Sequence, residues 1–235
     1  MTSMTAVPDP QDLDRVARHA LRMVADGMVL GLGTGRAAEA FIHALGARAR
    51  AKLRVRVVVT STRSDALARR MNLDVASLED VDRLDLAFDG ADEVTPALAL
   101  TKGLGGALLR ERVVASEASR FVVLVTPEKL VDRLGTRVPV PVEVVPFASP
   151  SALRRLGAIG ATPTLRRQGS GAPFVTDNQH WIIDAAFAPI DDPAALEASI
   201  RSIPGVVDTG LFLGMASLVL VGDGGAVREI RRPPG

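Results

Sequence analysis

Four short apolar runs, each leading into a turn rich in glycine, hydroxyl or carboxylate side chains, constrain the first half of this chain more than any other feature. They are Met28–Gly33, Val55–Thr60, Leu84–Phe88 and Phe121–Val125. Each is long enough for a buried strand and too short for a helix. Helical spacing of the apolar residues predicts helices between them over Ala37–Leu45, Ser64–Met71 and Gly105–Ser116. An earlier helix is expected over Asp12–Ala25, stopped by Gly27. Alternating strands and helices with short connections give an α/β parallel sheet covered by helices on both faces. Ligands of such sheets bind beyond the carboxyl ends of the strands, so the turns after Leu32, Val59 and Phe88 should face one site.

The pattern changes near Pro139-Val140-Pro141. Strands are expected over Val142–Phe147, Thr162–Arg166 and Trp181–Phe187, and from Gly205, with helices over Ser151–Gly157 and Pro193–Ser202. Asp192 precedes Pro193 and suits an N-cap. This β-α-β-β-α-β order predicts a small split-βαβ module. Two tail strands, Ala216–Val221 and Ala226–Ile230, should return to the first sheet. The expected division is a first domain of residues 1–137 completed by 209–235, and a second of 138–208. The stretch Met1–Gln11 is polar, and no apolar run reaches the ~18 residues of a membrane span. A cytoplasmic protein with no membrane partner is expected.

Composition narrows the chemistry. The chain has no cysteine and no tyrosine, so neither can serve as nucleophile, acid or metal ligand. With 28 basic and 27 acidic residues the net charge is +1, which gives no field to attract nucleic acid. Only Lys52, Lys102 and Lys129 are lysines among the basic residues; the rest are arginines. Where lysine persists in so arginine-rich a chain, a compact ammonium rather than a planar fork is one explanation. Chance survival under a coding bias is the other.

Three segments carry candidate chemistry. Gly31-Leu32-Gly33-Thr34-Gly35-Arg36 joins a strand to a helix and would expose backbone N–H groups to a phosphate, although a tight turn that needs glycine explains it equally well. Asp89-Gly90-Ala91-Asp92-Glu93 places three carboxylates at a strand's carboxyl end. Its two aspartates could be aimed into one cleft to handle protons, and helix capping with a metal site is the alternative. Lys102-Gly103-Leu104-Gly105-Gly106 forms an anion-binding nest before a helix that carries Glu111. By itself Glu111 fits a surface carboxylate pairing with Arg110 or Arg112. Ser61, Thr62 and Ser64 would line the cleft or cap a helix. His19, His43 and His180 show no ligand spacing and fit structural or surface roles.

The blocks Leu86–Val94, Lys102–Glu111, Pro139–Phe147, Val175–Asn178 and Ile203–Phe212 resemble, in this order, type A ribose-5-phosphate isomerase, and the likeness is colinear from about Gln11 to Val221. The resemblance implies a Rossmann-like parallel-sheet domain with a smaller ferredoxin-like α+β domain. It implies interconversion of D-ribose 5-phosphate and D-ribulose 5-phosphate in the non-oxidative pentose phosphate pathway, without metal or other cofactor. Glu111 would move the carbon-bound proton, Lys102 and the Gly103, Gly105 and Gly106 backbone would stabilise the oxyanion, and Asp89 and Asp92 would assist ring opening and oxygen-to-oxygen proton movement. Thr34, Gly35 and Lys129 would hold the sugar and its phosphate.

The chain departs from the family pattern in three places. Arg36 and Ala37 replace two hydroxyl residues in the glycine turn, Leu104 replaces a glycine, and Leu13-Asp14-Arg15 stands where a phosphate-facing lysine is common. Arg36 is expected to take over phosphate contact, because its guanidinium fork suits phosphate. A non-catalytic sugar-phosphate sensor and an amino-sugar phosphate deaminase are the competing readings. The expected partners are a small sugar phosphate and further copies of the chain, as a homodimer or homotetramer.

Overall fold

The computed structural model describes residues 10–232. The chain runs α1 (Pro10–Ala20), β1 (Val29–Leu32), α2 (Arg36–Ala49), β2 (Arg56–Val59), α3 (Thr62–Arg70), β3 (Asp74–Val75) and β4 (Leu84–Asp89). It continues through β5 (Glu93–Val94), β6 (Leu100–Thr101), α4 (Leu108–Glu117) and β7 (Ala118–Val125). Next come β8 (Val140–Val144), α5 (Ser149–Ala158), β9 (Thr162–Leu165), β10 (Trp181–Ala186), α6 (Pro193–Arg201) and β11 (Val206–Thr209). The described chain closes with β12 (Leu211–Phe212), β13 (Ala216–Asp223) and β14 (Ala226–Arg231).

The main sheet has seven strands in the order β14-β13-β7-β4-β1-β2-β3. All its pairings are parallel except β13 with β14, which form the expected hairpin on the first sheet. Alternate residues supply two cores. Leu30, Leu32, Leu86, Phe88, Val122 and Leu124 face α1 and α2, where the rings of Phe41 and Phe88 stack with centroids 4.1 Å apart. Ala87, Phe121, Val123 and Val125 face Val114 and Ala115 of α4. This period of two on strands buried on both faces explains their near-continuous apolar character. From β1 the chain moves outward to β2 and β3, then crosses back to β4 on the other side of β1. The crevice at this switch point opens at the carboxyl ends of β1 and β4.

The second sheet, β11-β8-β10-β9, is antiparallel and is joined in the expected β-α-β-β-α-β order. Ala152, Leu156 and Ile200 of its two helices bury against Val140, Val142, Ile183 and Ala185. Val131, Leu134 and Leu211 from the flanking chain enter the same core. Asp192 caps α6, its Oδ1 accepting from the Ala195 N–H at 3.0 Å. A third, three-stranded sheet, β12-β6-β5, is built from two-residue strands that the sequence pattern does not reveal.

Three expected spans need correction. The helix expected over Gly105–Ser116 begins at Leu108, because Gly106 takes a left-handed φ of +82° and Ala107 is non-helical. The strand expected over Val142–Phe147 is Val140–Val144, and a short 3-10 turn at Pro146–Ala148 ends it. The helix expected over Asp12–Ala25 is regular only to Ala20 and tightens to a 3-10 turn over Leu21–Met23.

Candidate active site

The site is assembled around Asp89 at the end of β4. Its carboxylate lies against Gly33, where a Cβ would stand 1.8 Å from the Asp89 Cγ, so only glycine fits there. Asp89 Oδ1 accepts from the backbone N–H of Gly90 at 2.7 Å and of Thr34 at 3.2 Å. Its Oδ2 accepts from the Lys102 ammonium at 2.8 Å, and that ammonium also donates to the Gly90 carbonyl at 2.7 Å. One carboxylate therefore fixes the turn after β1, the turn after β4 and the lysine.

Glu111 completes the group. It occupies the first turn of α4 and is 4% exposed, as deeply buried as Lys102 at 3%. The surface pairing with Arg110 or Arg112 is thus corrected: Glu111 Oε2 lies 3.1 Å from the Lys102 Nζ. That approach lacks hydrogen-bond alignment, and Oε2 has no hydrogen-bond partner. The ammonium spends its aligned donors on Asp89 and Gly90. Burial, reinforced by the Asp89 charge and opposed by Lys102, pushes the Glu111 carboxyl up to about 8. Burial also raises the Asp89 carboxyl, against the pull of Lys102 and three hydrogen bonds. For Lys102, burial disfavours the charge, but the Asp89 and Glu111 carboxylates outweigh it and hold the pKa above the usual lysine value. Two buried carboxyls thus share one cation, and burial raises both.

Thr34, Gly35, Arg36, Asp92, Lys102, Gly103, Gly105, Glu111 and Lys129 all line one cleft. Asp89 lies behind Lys102, and Gly106 sits at the back of its loop beside Phe174. Asp92 Oδ2 accepts from the Leu104 N–H at 3.0 Å, tying the turn after β4 to the glycine loop. The N-terminus of α2, with Gly35 as its cap and Arg36 as its first residue, opens into the cleft. Thr34 Oγ1 is anchored at 2.8 Å to Thr60 Oγ1 and 2.7 Å to Ser61 Oγ. Ser61 also caps α3 by accepting from the Ser64 N–H at 3.1 Å, and Ser64 donates to the Gly33 carbonyl at 2.6 Å. These hydroxyls buttress Thr34 from behind. Glu93, the third carboxylate of its cluster, turns away and accepts from the Gly135 N–H at 2.7 Å and the Arg137 N–H at 2.6 Å.

The residues beside Glu111 are tied to the second sheet and its loops. Arg110 donates to Asn178 Oδ1 at 2.8 Å and the Asp177 carbonyl at 3.0 Å. Arg112 donates to Asp208 Oδ2 at 2.7 Å and to the carbonyls of Thr209 and Leu211 at 2.7 and 2.8 Å. Its guanidinium carbon also lies 4.3 Å from the Phe212 ring centroid. Sequence reasoning missed one further participant, Arg166, which donates to the carbonyls of Gly103 and Leu104 at 3.0 Å each. No arginine stands out by type in so arginine-rich a chain. His19 and His180 pair with Glu229 and Glu143, and His43 is exposed; none lines the cleft.

Known proteins carry the same architecture. The family model for ribose 5-phosphate isomerase A (phosphoriboisomerase A) matches residues 56–225. The ribose-5-phosphate isomerase A of Roseiflexus sp. (strain RS-1) is 52% identical over 221 residues, covering 93% of this chain and 95% of that protein. The solved ribose 5-phosphate isomerase A of Methanocaldococcus jannaschii is 41% identical, with a TM-score of 0.90 over 95% of this chain and all (100%) of that one. A D-ribose-5-phosphate isomerase in complex with phospho-erythronic acid is 39% identical, with a TM-score of 0.93 over 96% of this chain and 100% of its own. With near-full coverage of both partners and a shared fold, this chain belongs to the ribose 5-phosphate isomerase A family.

Proposed function

We infer that the protein interconverts D-ribose 5-phosphate and D-ribulose 5-phosphate through an enediolate. One observation carries the reading: a buried glutamate carboxylate stands 3.1 Å from a buried ammonium in a cleft that Asp92, Arg36, Gly105 and Lys129 also line. In the open aldose, Glu111 takes the proton from C2 while the C2–H electrons form a C1–C2 double bond and O1 becomes an oxyanion. Lys102 and the backbone of the Gly103–Gly106 loop stabilise that charge. The O2 proton then passes to O1, and Glu111 returns its proton to C1 as O2 becomes the ketone. Asp92, which lines the cleft, is placed to assist ring opening and oxygen-to-oxygen transfer; Asp89 acts by fixing the ammonium.

The phosphate is assigned to the N-terminus of α2 and Lys129, with Thr34 and Gly35 beside it. Arg36 stands at that helix start, exposed and lining the cleft. Arg36→Ala is expected to raise KM for ribose 5-phosphate about ten-fold while kcat changes little, as loss of one charge-assisted contact implies. An unchanged KM removes Arg36 from the phosphate site.

The whole reading is tested by incubating the protein with ribose 5-phosphate and a chelator and measuring ketose formation. Turnover sustains the isomerase; saturable binding without turnover sustains the sensor, which no feature of the cleft favours. The proposal includes a cytoplasmic homodimer or homotetramer with no nucleic-acid partner, to be checked by sedimentation of the purified protein. Among the described residues no helix is long and apolar enough to cross a membrane.

A further inference from the structure

We propose that Arg166, in the second sheet's half of the molecule, is a positioning residue for the reaction, holding the Lys102–Gly106 loop so that the Gly105 N–H faces the enediolate. This deepens the isomerase reading of the cleft and rests on it. The guanidinium is 13% exposed and clamped by Asp184 of β10, with Nε donating to Oδ2 at 2.9 Å and Nη2 donating to Oδ1. Its remaining nitrogen, Nη1, donates to both Gly103 O and Leu104 O at 3.0 Å. Phe174 closes the other side, its ring centroid 5.7 Å from the guanidinium carbon.

Peptide geometry converts this clamp into an orientation. In a trans peptide the carbonyl and the following N–H point to opposite sides of the chain, and no peptide among the described residues is cis. With Gly103 O turned to Arg166, the Leu104 N–H must face away, and it meets Asp92 Oδ2 at 3.0 Å. With Leu104 O turned to the same nitrogen, the Gly105 N–H also faces away, and Gly105 lines the cleft. Arg166 itself is not among the cleft-lining residues. Phe174 also fixes the far end of the loop, because a Cβ on Gly106 would lie 2.4 Å from its ring and the Gly106 φ is +82°. The Leu104 N–H is taken by Asp92 and the Gly106 N–H by the Gly103 carbonyl at 3.0 Å, so the second sheet holds the carbonyl side of the loop and leaves the Gly105 N–H for charge that develops only during reaction.

Donors aimed at a developing charge act on kcat, not on ground-state binding. Arg166→Met is expected to lower kcat about 10- to 100-fold, below the full loss of an oxyanion donor because the loop remains present. KM should stay within about three-fold. Affinity for a phosphorylated four-carbon hydroxamate, planar and anionic like the enediolate, should fall by the same factor as kcat. Affinity for ribose 5-phosphate, read in a Glu111→Gln background, should hold. Arg166→Lys should resemble Arg166→Met, since an ammonium cannot span Asp184 and two carbonyls together. A merely structural arginine would weaken both ligands alike, and that outcome, or a folded Arg166→Met within three-fold of wild-type kcat, overturns the proposal. If Arg166→Met does not fold, Asp184→Asn must show the same split in milder form; unchanged kcat there overturns it too. If the wild-type protein fails to isomerise ribose 5-phosphate, the reading of the cleft falls, and the hydroxamate titration still decides whether Arg166 orders the loop.

Discussion

Glu111→Gln is expected to lower kcat by about 10³- to 10⁴-fold while ribose 5-phosphate still binds, because the substitution keeps the side chain's shape and removes the base. Steady-state kinetics with calorimetric binding would read both. The wild-type kcat/KM should rise as pH climbs toward about 8, the value to which burial pushes this carboxyl, and then level off. Activity in the variant within ten-fold of wild type would remove Glu111 from the base role. Stability should move the other way. The folded protein keeps the Glu111 proton up to about pH 8, while the unfolded chain releases it near 4.5. The stability tied to that proton is complete below the lower value and is lost as pH rises through the upper one. Glutamine carries no such liability, so the variant should melt higher than wild type by several degrees at pH 9, with the difference shrinking toward pH 5.

Lys102→Met should be damaging on both counts. Lys102 is the sole cation placed within 4.0 Å of Asp89 and Glu111 among the described residues. Removing it leaves two buried carboxyls without a counter-charge, and breaking a buried pair in this way costs about 3–5 kcal/mol. A melting temperature lowered by roughly 10 °C is the expected result, with kcat down about 10³-fold from loss of oxyanion stabilisation. Lys102→Arg should not restore activity, because a planar fork cannot occupy a space shaped for one compact ammonium. A Met variant that retains a tenth of wild-type kcat would remove the lysine from the reaction.

The parts of this site that could be read from the sequence are those whose residue type is scarce or whose turn is forced. Of the three lysines, Lys102 and Lys129 reach the cleft, and Lys52 lies exposed in a surface turn with φ +84°. The glycine turn after β1 and the aspartate ending β4 follow from alternating strands and helices. Burial was harder to see. Glu111 is flanked by arginines, and the one local sign of its burial is the apolar stripe of Leu108, Val114 and Ala115 on the same helix face. Glu93 shows the converse: it sits in a carboxylate cluster like a site residue, yet its oxygens serve a loop some forty positions later. The two-residue strands β5, β6 and β12 carry no periodicity to detect, and long-range pairing alone defines them.

Arg110 and Arg112 flank the base, and each is bolted to a different part of the second sheet's half, Arg110 to the Asp177–Asn178 turn and Arg112 to β11. Their side chains leave α4 in different directions, so together they prevent the helix from rolling about its axis. A base that must serve two neighbouring carbons therefore cannot be carried between them by its backbone. Any travel between the two positions has to come from torsions within the glutamate itself, a pendulum swinging from a fixed pivot.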